Sequence, residues 1–80
     1  MKKIIVLDRG WNLVGRLEKD GDWYILIDGH VIRRWGTSEG LGELAMKGKL
    51  PETKLDPLPI TKFHQDKVIM IISCSEDKWK

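Results

Sequence analysis

The sequence predicts an α+β fold that is mostly β, a small antiparallel meander or barrel-like sheet of about 5–6 strands with one short helix near 39–47. Short apolar runs rich in β-branched residues recur between turn residues, which is typical of strands. Asp-Gly pairs mark tight turns, and helical spacing of apolar residues occurs in one place only. With 80 residues, the chain 1–80 forms a single domain.

The first half of the chain predicts four strands joined by turns. The run "KKIIVLD" is almost continuously apolar, as in a strand buried on both faces. After the Arg9-Gly10 turn, "WNLVGRLEK" forms the second strand, with Gly15 as a bulge or close-packing point. Asp20-Gly21 and Asp28-Gly29 then predict hairpin turns on either side of "WYILID", and "HVIRRW" forms the fourth strand.

A short helix is predicted where the apolar spacing changes to i, i+3, i+4, at Leu41, Leu44 and Ala45. Thr37 or Ser38 can cap its start, and Gly48 is suited to its end. The Pro-rich segment 49–59 predicts an arm or loop. Beyond it, "ITKF" predicts an edge strand, "KVIMIISC" the last core strand and "SEDKWK" a polar tail.

The composition of the chain restricts the cellular compartment and the classes of binding partner that we expect. The single cysteine rules out an internal disulfide and favours a reducing compartment. No apolar run reaches the roughly 18 residues of a membrane span, and the apolar stretch near the N-terminus is too short for a signal peptide. We therefore expect a cytoplasmic protein with no membrane partner. The net charge of +2 is too small to favour duplex DNA.

Strands that are apolar on both faces raise the question of what covers them. The segments 4–7 and 68–72 have this character, whereas one small helix covers only one face of a sheet. Either the sheet closes into a barrel or other subunits cover it, and we expect a homo-oligomer. Trp11, Trp23 and Trp35 favour the same interpretation, because tryptophan is enriched at interfaces.

The segment "VIRRWGTSEGLGELA" is the strongest candidate for a ligand site. Arginine binds phosphate in a bidentate manner, tryptophan stacks on nucleobases, and amides at a helix N-terminus attract anions. The alternative is a purely structural corner whose glycines allow close packing. Which of the two arginines faces a pocket stays open. The predicted ligand-binding residues are Arg33, Arg34, Trp35, Gly36, Thr37, Ser38, Gly40 and Gly42.

Asp8, Arg9 and Trp11 are predicted as possible second contacts. The segment "GTSEGLGE" lacks the ending of a phosphate-binding Walker A loop. His30, His64 and Cys74 have no metal-ligand spacing, so we expect no metal site. No nucleophile and base are arranged for catalysis, and we expect neither an enzyme nor a cofactor.

Three segments, "LDRGWNLVG", "VIRRWGTSEGLGELA" and "LDP", resemble a family of very short phage-encoded proteins that carry DRGW, IRRWGT–GLGELA and LDP segments. The resemblance covers most of the chain and supplies no catalytic residues. It implies a phage origin and, at the level of class, an anti-defence factor. It emphasises Arg33, Arg34, Trp35, Gly36, Thr37, Gly40, Leu41, Gly42 and Glu43.

The leading hypothesis is a nucleotide sponge, which sequesters a phosphate-bearing nucleotide immune signal in the host cytoplasm without cleaving it. The alternative is an inhibitor that binds a host defence protein, such as a CRISPR complex, through the arm 50–59 and exposed tryptophans. A single-stranded nucleic-acid binder is a third hypothesis, which the low net charge disfavours.

Overall fold

The computed structural model describes residues 1–79 and contains a six-stranded antiparallel sheet and one helix. The strands follow the order β4-β3-β2-β1-β6, and β5 pairs with the first part of β3. The sheet is open, so the mostly β meander is confirmed and closure into a barrel is not observed. The elements are β1 (Lys2–Leu7), β2 (Asn12–Asp20), β3 (Trp23–Arg34), α1 (Leu41–Lys47), β4 (Lys54–Pro57), β5 (Thr61–His64) and β6 (Val68–Ser73).

Two apolar clusters lie on opposite faces of the sheet. Ile4 and Ile5 are consecutive and both fully buried, and each belongs to a different cluster because neighbouring strand residues alternate faces. We call the face of Ile4 the helix face, because Leu44 and Ala45 of α1 cover it. We call the face of Ile5 the groove face, which Phe63 of β5 covers in part.

Strand β3 is continuous, so the predicted hairpin turn at Asp28-Gly29 is wrong. Asp28 has φ 53°, and the β2–β3 register shifts between Val14 and Arg16, as at a β-bulge. The predicted role of Gly15 is confirmed, since a Cβ there would lie 2.9 Å from the Gly29 Cα. The extra residue is thus absorbed as a bulge within the sheet and does not reverse the chain.

Helix α1 begins later than predicted and has a different cap. Its N-cap is Gly40, with φ 81°, and neither Thr37 nor Ser38 caps it through a side chain. The Thr37 hydroxyl instead donates to the Gly40 carbonyl at 2.7 Å. The left-handed backbone at Gly40 turns the chain into the helix, so this glycine precedes the first turn.

The C-terminal segment, as far as residue 79, is not the polar tail that the sequence predicts, and Lys80 lies outside the described residues. Trp79 is buried against the helix face, and its indole N–H donates to the Leu44 carbonyl at 3.0 Å. The amide of Ser75 donates to the carbonyl of Ala45. The buried indole covers apolar surface and its N–H has an acceptor, so Trp79 holds the segment against the protein although the neighbouring residues are polar.

The Pro-rich segment and the last strand also differ from expectation. Segment 49–59 contains β4, and its Leu55 packs against the helix-face cluster, so it is part of the sheet. Strand β6 pairs only with β1 and forms an edge, which leaves Ile69, Met70 and Ile71 exposed. Within residues 1–79, no helical segment combines the length and apolar character needed to traverse a bilayer.

Candidate ligand-binding site

The segment 31–45, which we call the corner, contains cations that already have acidic partners. Arg33 Nη1 lies 2.7 Å from Asp56 Oδ2, and Arg34 Nη1 lies 3.8 Å from Glu52 Oε2. All four side chains are largely exposed, so each pair contributes little to stability, on the order of 1 kcal/mol or less. A stronger anion can compete for these arginines, but it must displace a carboxylate.

Two backbone amides of the corner are occupied as well. The Glu43 carboxylate accepts from the amides of Ser38 and Glu39, each at 3.0 Å. The hydrogen bond from the Glu39 amide is the main reason why the pKa of Glu43 is lowered, and Lys47 contributes to the same shift. Two of the amides that the sequence offers to a phosphate, those of Ser38 and Glu39, therefore donate to an internal carboxylate in this structure.

The structure explains why two of the three positions in the corner are occupied by glycine. Gly36 has φ 71°, and a Cβ there would lie 2.5 Å from the Glu52 carbonyl carbon. Gly40 has φ 81° and lies against the ring of Trp35. By contrast, a Cβ at Gly42 would meet nothing within 4 Å, so packing does not require a glycine there.

A second surface is built by the tight turn at Asp8-Arg9-Gly10-Trp11. The amide of Leu7 donates to the carbonyl of Trp11 at 2.7 Å, which closes the turn. Arg9 has φ 66° and Gly10 has φ 82°. A left-handed backbone is ordinary for glycine and costs an arginine roughly 1–2 kcal/mol. The turn holds the Trp11 side chain 57% exposed at the edge of the groove face.

This turn lines a groove with two adjoining parts, which share Leu7, Trp11 and Phe63. The first part has a volume of about 290 Å³, and its lining includes Thr61 and Lys62. The second has a volume of about 230 Å³ and includes Lys67. The first part is otherwise lined by Leu7, Trp11, Leu13, Val31, Leu58 and Phe63, and the second by Leu7, Asp8, Arg9, Trp11 and Phe63.

The cations around the groove differ from those of the corner. Within the described residues 1–79, no carboxylate lies within ion-pair distance of Arg9, Lys62 or Lys67. Asp8 lines the same part of the groove without pairing to Arg9. The groove therefore combines an aromatic and apolar wall with unpaired positive charge, a combination that suits a flat anionic ligand.

The predicted residues fall on different surfaces. Asp8, Arg9 and Trp11, predicted as second contacts, all line the groove. Val31 lines the groove, and Asp56 lies opposite it on the neighbouring strand, so both side chains are on the groove face. Because Arg33 pairs with Asp56, its guanidinium lies on the same face. The rest of the corner, namely Arg34, Trp35, Gly36, Thr37, Ser38, Gly40 and Gly42, does not line the groove.

The sequence does not predict several groove residues as ligand contacts, chiefly Leu58, Lys62, Phe63 and Lys67. Phe63 lies within the correctly predicted strand "ITKF", and its aromatic ring in a short edge strand was the available signal. Its position beside Trp11 depends on the pairing of β5 with β3, which the local sequence does not reveal.

His64 and Cys74, which were also considered as site residues, make contacts within the fold. His64 accepts a hydrogen bond from the Asp66 amide and packs edge-on against Trp23. Cys74 is buried in the helix-face cluster, and burial raises the pKa of its thiol to about 11. Among residues 1–79, no three His, Cys, Asp or Glu side chains are grouped as metal ligands.

No known family model matches the chain, and a search of curated proteins gives no match.

Proposed function

We propose that this chain is a phage anti-defence protein that binds a phosphate-bearing nucleotide immune signal and sequesters it without cleavage. The observation that carries the proposal is a groove that is walled by Trp11 and Phe63 and lined by Arg9, Lys62 and Lys67, none of which has an acidic partner among residues 1–79. A nucleotide combines a flat aromatic base with a phosphate, and these two features match the two features of the groove.

The energies involved are sufficient for useful affinity. Stacking of a base on an aromatic side chain contributes about 1–3 kcal/mol. Each charge-assisted hydrogen bond contributes about 1.5–3 kcal/mol, against an association cost of about 4 kcal/mol or more. Arg33, on the same face, adds a further cation once a phosphate displaces Asp56. A sponge needs tight binding and no chemical step, and these groups supply binding.

Self-association is part of the proposal. The exposed Ile69, Met70 and Ile71 on the edge strand β6 support it, because exposed apolar edges are usually covered in a working assembly. An oligomer of small subunits presents several copies of the groove on one particle in the host cytoplasm.

The proposal is tested by native mass spectrometry with a panel of linear and cyclic nucleotides and nucleotide–sugar conjugates. We expect a discrete oligomer that gains an intact ligand mass. Trp11→Ala should abolish the adduct, whereas Trp23→Ala, which removes another half-exposed indole outside the groove, should retain it. A protein that gains no ligand mass, or that releases a cleaved product, contradicts the proposal.

The alternative function is inhibition of a host defence protein, and one observation favours it. An exposed apolar edge strand can pair with a strand of another protein. Deletion of segment 49–59 does not test this hypothesis cleanly, because β4 and its Leu55 belong to the fold. Ile69→Lys is the sharper variant, since Ile69 is 62% exposed. Loss of anti-defence activity with retained nucleotide binding would favour the protein target.

A further inference from the structure

We infer that the groove takes one nucleotide unit in a fixed orientation, with the base in the part lined by Leu13 and Val31 and the phosphate in the part lined by Arg9 and Lys67. The inference rests on the proposed function and names the portion of the signal that is recognised. Trp11 and Phe63 border both parts, so the sugar lies between them and the base lies against the indole.

The two parts of the groove differ in chemistry. Beyond the shared residues, the first part is lined mainly by Leu13, Val31 and Leu58, which favour the face of a base. The second part adds Asp8, Arg9 and Lys67, so it is lined by two cations where the first part has one, Lys62, although the formal net charge is +1 in both. A phosphate beside two cations is favoured, and Asp8 keeps the preference for anions moderate.

The size of the groove suits one nucleotide unit. The two parts measure about 290 and 230 Å³, and together they fall within the range of about 300–1,000 Å³ found for pockets that hold one drug-sized ligand. We expect a cyclic or linear signal with several nucleotides to insert one of them and to leave the remainder outside the groove. A free nucleoside monophosphate contains everything that the groove contacts.

The backbone of Arg9 supports its assignment to the phosphate. Arg9 occupies the left-handed region, where glycine or asparagine has a lower energy. Strained residues of this kind cluster at binding sites, where the side chain has a role that offsets the strain. Within residues 1–79 the Arg9 guanidinium makes no ion pair, so no internal salt bridge accounts for an arginine at this position.

The apolar part also predicts the specificity. The Thr61 hydroxyl donates to the Pro59 carbonyl at 2.8 Å and is engaged within the protein. Lys62 is the other polar side chain of this part. Bases are distinguished by hydrogen bonds to their edges, and stacking alone tolerates every base. We therefore expect the four nucleoside 5′-monophosphates to bind with similar affinities, within about tenfold.

The test is isothermal titration of the intact protein with the four nucleoside 5′-monophosphates, the matching nucleosides and inorganic phosphate. We expect each monophosphate to bind about 10-fold to 100-fold more tightly than its nucleoside, as one charge-assisted contact provides. Arg9→Gly should remove most of this difference without lowering the midpoint of thermal unfolding, because glycine relieves the left-handed backbone. Lys67→Met should reduce the same difference, and Trp11→Ala should weaken nucleoside and monophosphate equally.

Arg16→Gln is the matched control, because it removes one exposed positive charge outside the groove. It should leave the ratio of the two affinities unchanged. Equal binding of monophosphate and nucleoside, or a ratio unaffected by both Arg9→Gly and Lys67→Met, overturns the inference. Binding of larger nucleotides without any monophosphate also overturns it and leaves the proposed function standing. A protein that binds no nucleotide of either kind overturns both.

Discussion

The corner and the groove contain similar residues and differ in how their charges are satisfied. Each has cations, a half-exposed tryptophan and a left-handed backbone, which occurs at two glycines in the corner and at Arg9 and Gly10 in the turn beside the groove. In the corner, Asp56 and Glu52 pair with the arginines, and Glu43 accepts from two backbone amides. In the groove, Arg9, Lys62 and Lys67 have no acidic partner within residues 1–79.

Residue types alone therefore do not distinguish a ligand site from a structural corner. A cation that is paired with a carboxylate of the protein stabilises the fold slightly, and it binds an external anion only after that anion displaces the carboxylate. A cation beside an apolar wall and without a partner gains most from an arriving phosphate. The corner, by far the richer motif in sequence, is therefore expected to serve mainly the structure.

The largest expected effect is on stability and lies in the corner. Gly36→Ala places a Cβ 2.5 Å from the Glu52 carbonyl carbon on a backbone with φ 71°. We expect a loss of about 3 kcal/mol in the free energy of unfolding, from left-handed strain and overpacking together. Urea denaturation measures it. A loss below about 0.5 kcal/mol, the range of an ordinary surface substitution, would show that the corner is less constrained than its geometry indicates.

The next effect separates the two tryptophans. Trp11→Ala should weaken nucleotide binding by about 1–3 kcal/mol, the contribution of one stacked base. Trp35→Ala should change it by less than about 0.5 kcal/mol, because Trp35 packs over Gly40 outside the groove. Isothermal titration with the same nucleotide compares them. The opposite order of effects would move the site to the corner.

A smaller effect is expected at Gly42. Because a Cβ there meets nothing within 4 Å and the residue is helical, Gly42→Ala should stabilise the protein by about 1 kcal/mol. The midpoint of denaturation should rise while nucleotide affinity stays the same. A stabilised variant that loses binding would mean that a ligand approaches the backbone of α1, as the sequence hypothesis holds.

The smallest effect concerns pH. Because the pKa of Glu43 is lowered from its ordinary value of 4.5, its contribution to stability is present above that pH and is lost as the pH falls through the lowered pKa. Glu43→Gln should therefore lower stability slightly near pH 7 and flatten the decrease of stability below pH 4.5. Thermal unfolding between pH 2 and pH 7 measures both. An unchanged acid limb would show that Glu43 does not hold the amides in solution.

The sequence predicted the parts of the fold that local rules govern. The hairpin near Asp20-Gly21, the turn at Arg9-Gly10 and the irregularity at Gly15 are all present. The hairpin turn predicted at Asp28-Gly29 is wrong because a bulge and a hairpin turn use the same residue types. The pairing of β3 with β2 decides which of the two forms. Trp79 and Phe63 were missed because their partners, α1 and Trp11, are distant in the sequence.

The candidate site was predicted in part. Asp8, Arg9 and Trp11 were named from their residue types, and the structure places them at the groove. The apolar wall is assembled from β1, β2, β3 and β5, so only the sheet topology brings it together. The partners of the corner arginines lie in segment 52–56, beyond the reach of a motif.

The most direct test of the groove is the nuclear magnetic resonance spectrum of the four indole N–H groups during titration with a nucleoside 5′-monophosphate. The chain has four tryptophans, and within residues 1–79 only Trp11 lines the groove. We predict that the signal of Trp11 shifts on binding while those of Trp23, Trp35 and Trp79 stay in place. A shift of Trp35 with an unchanged Trp11 signal, or no shift at all, would contradict the account.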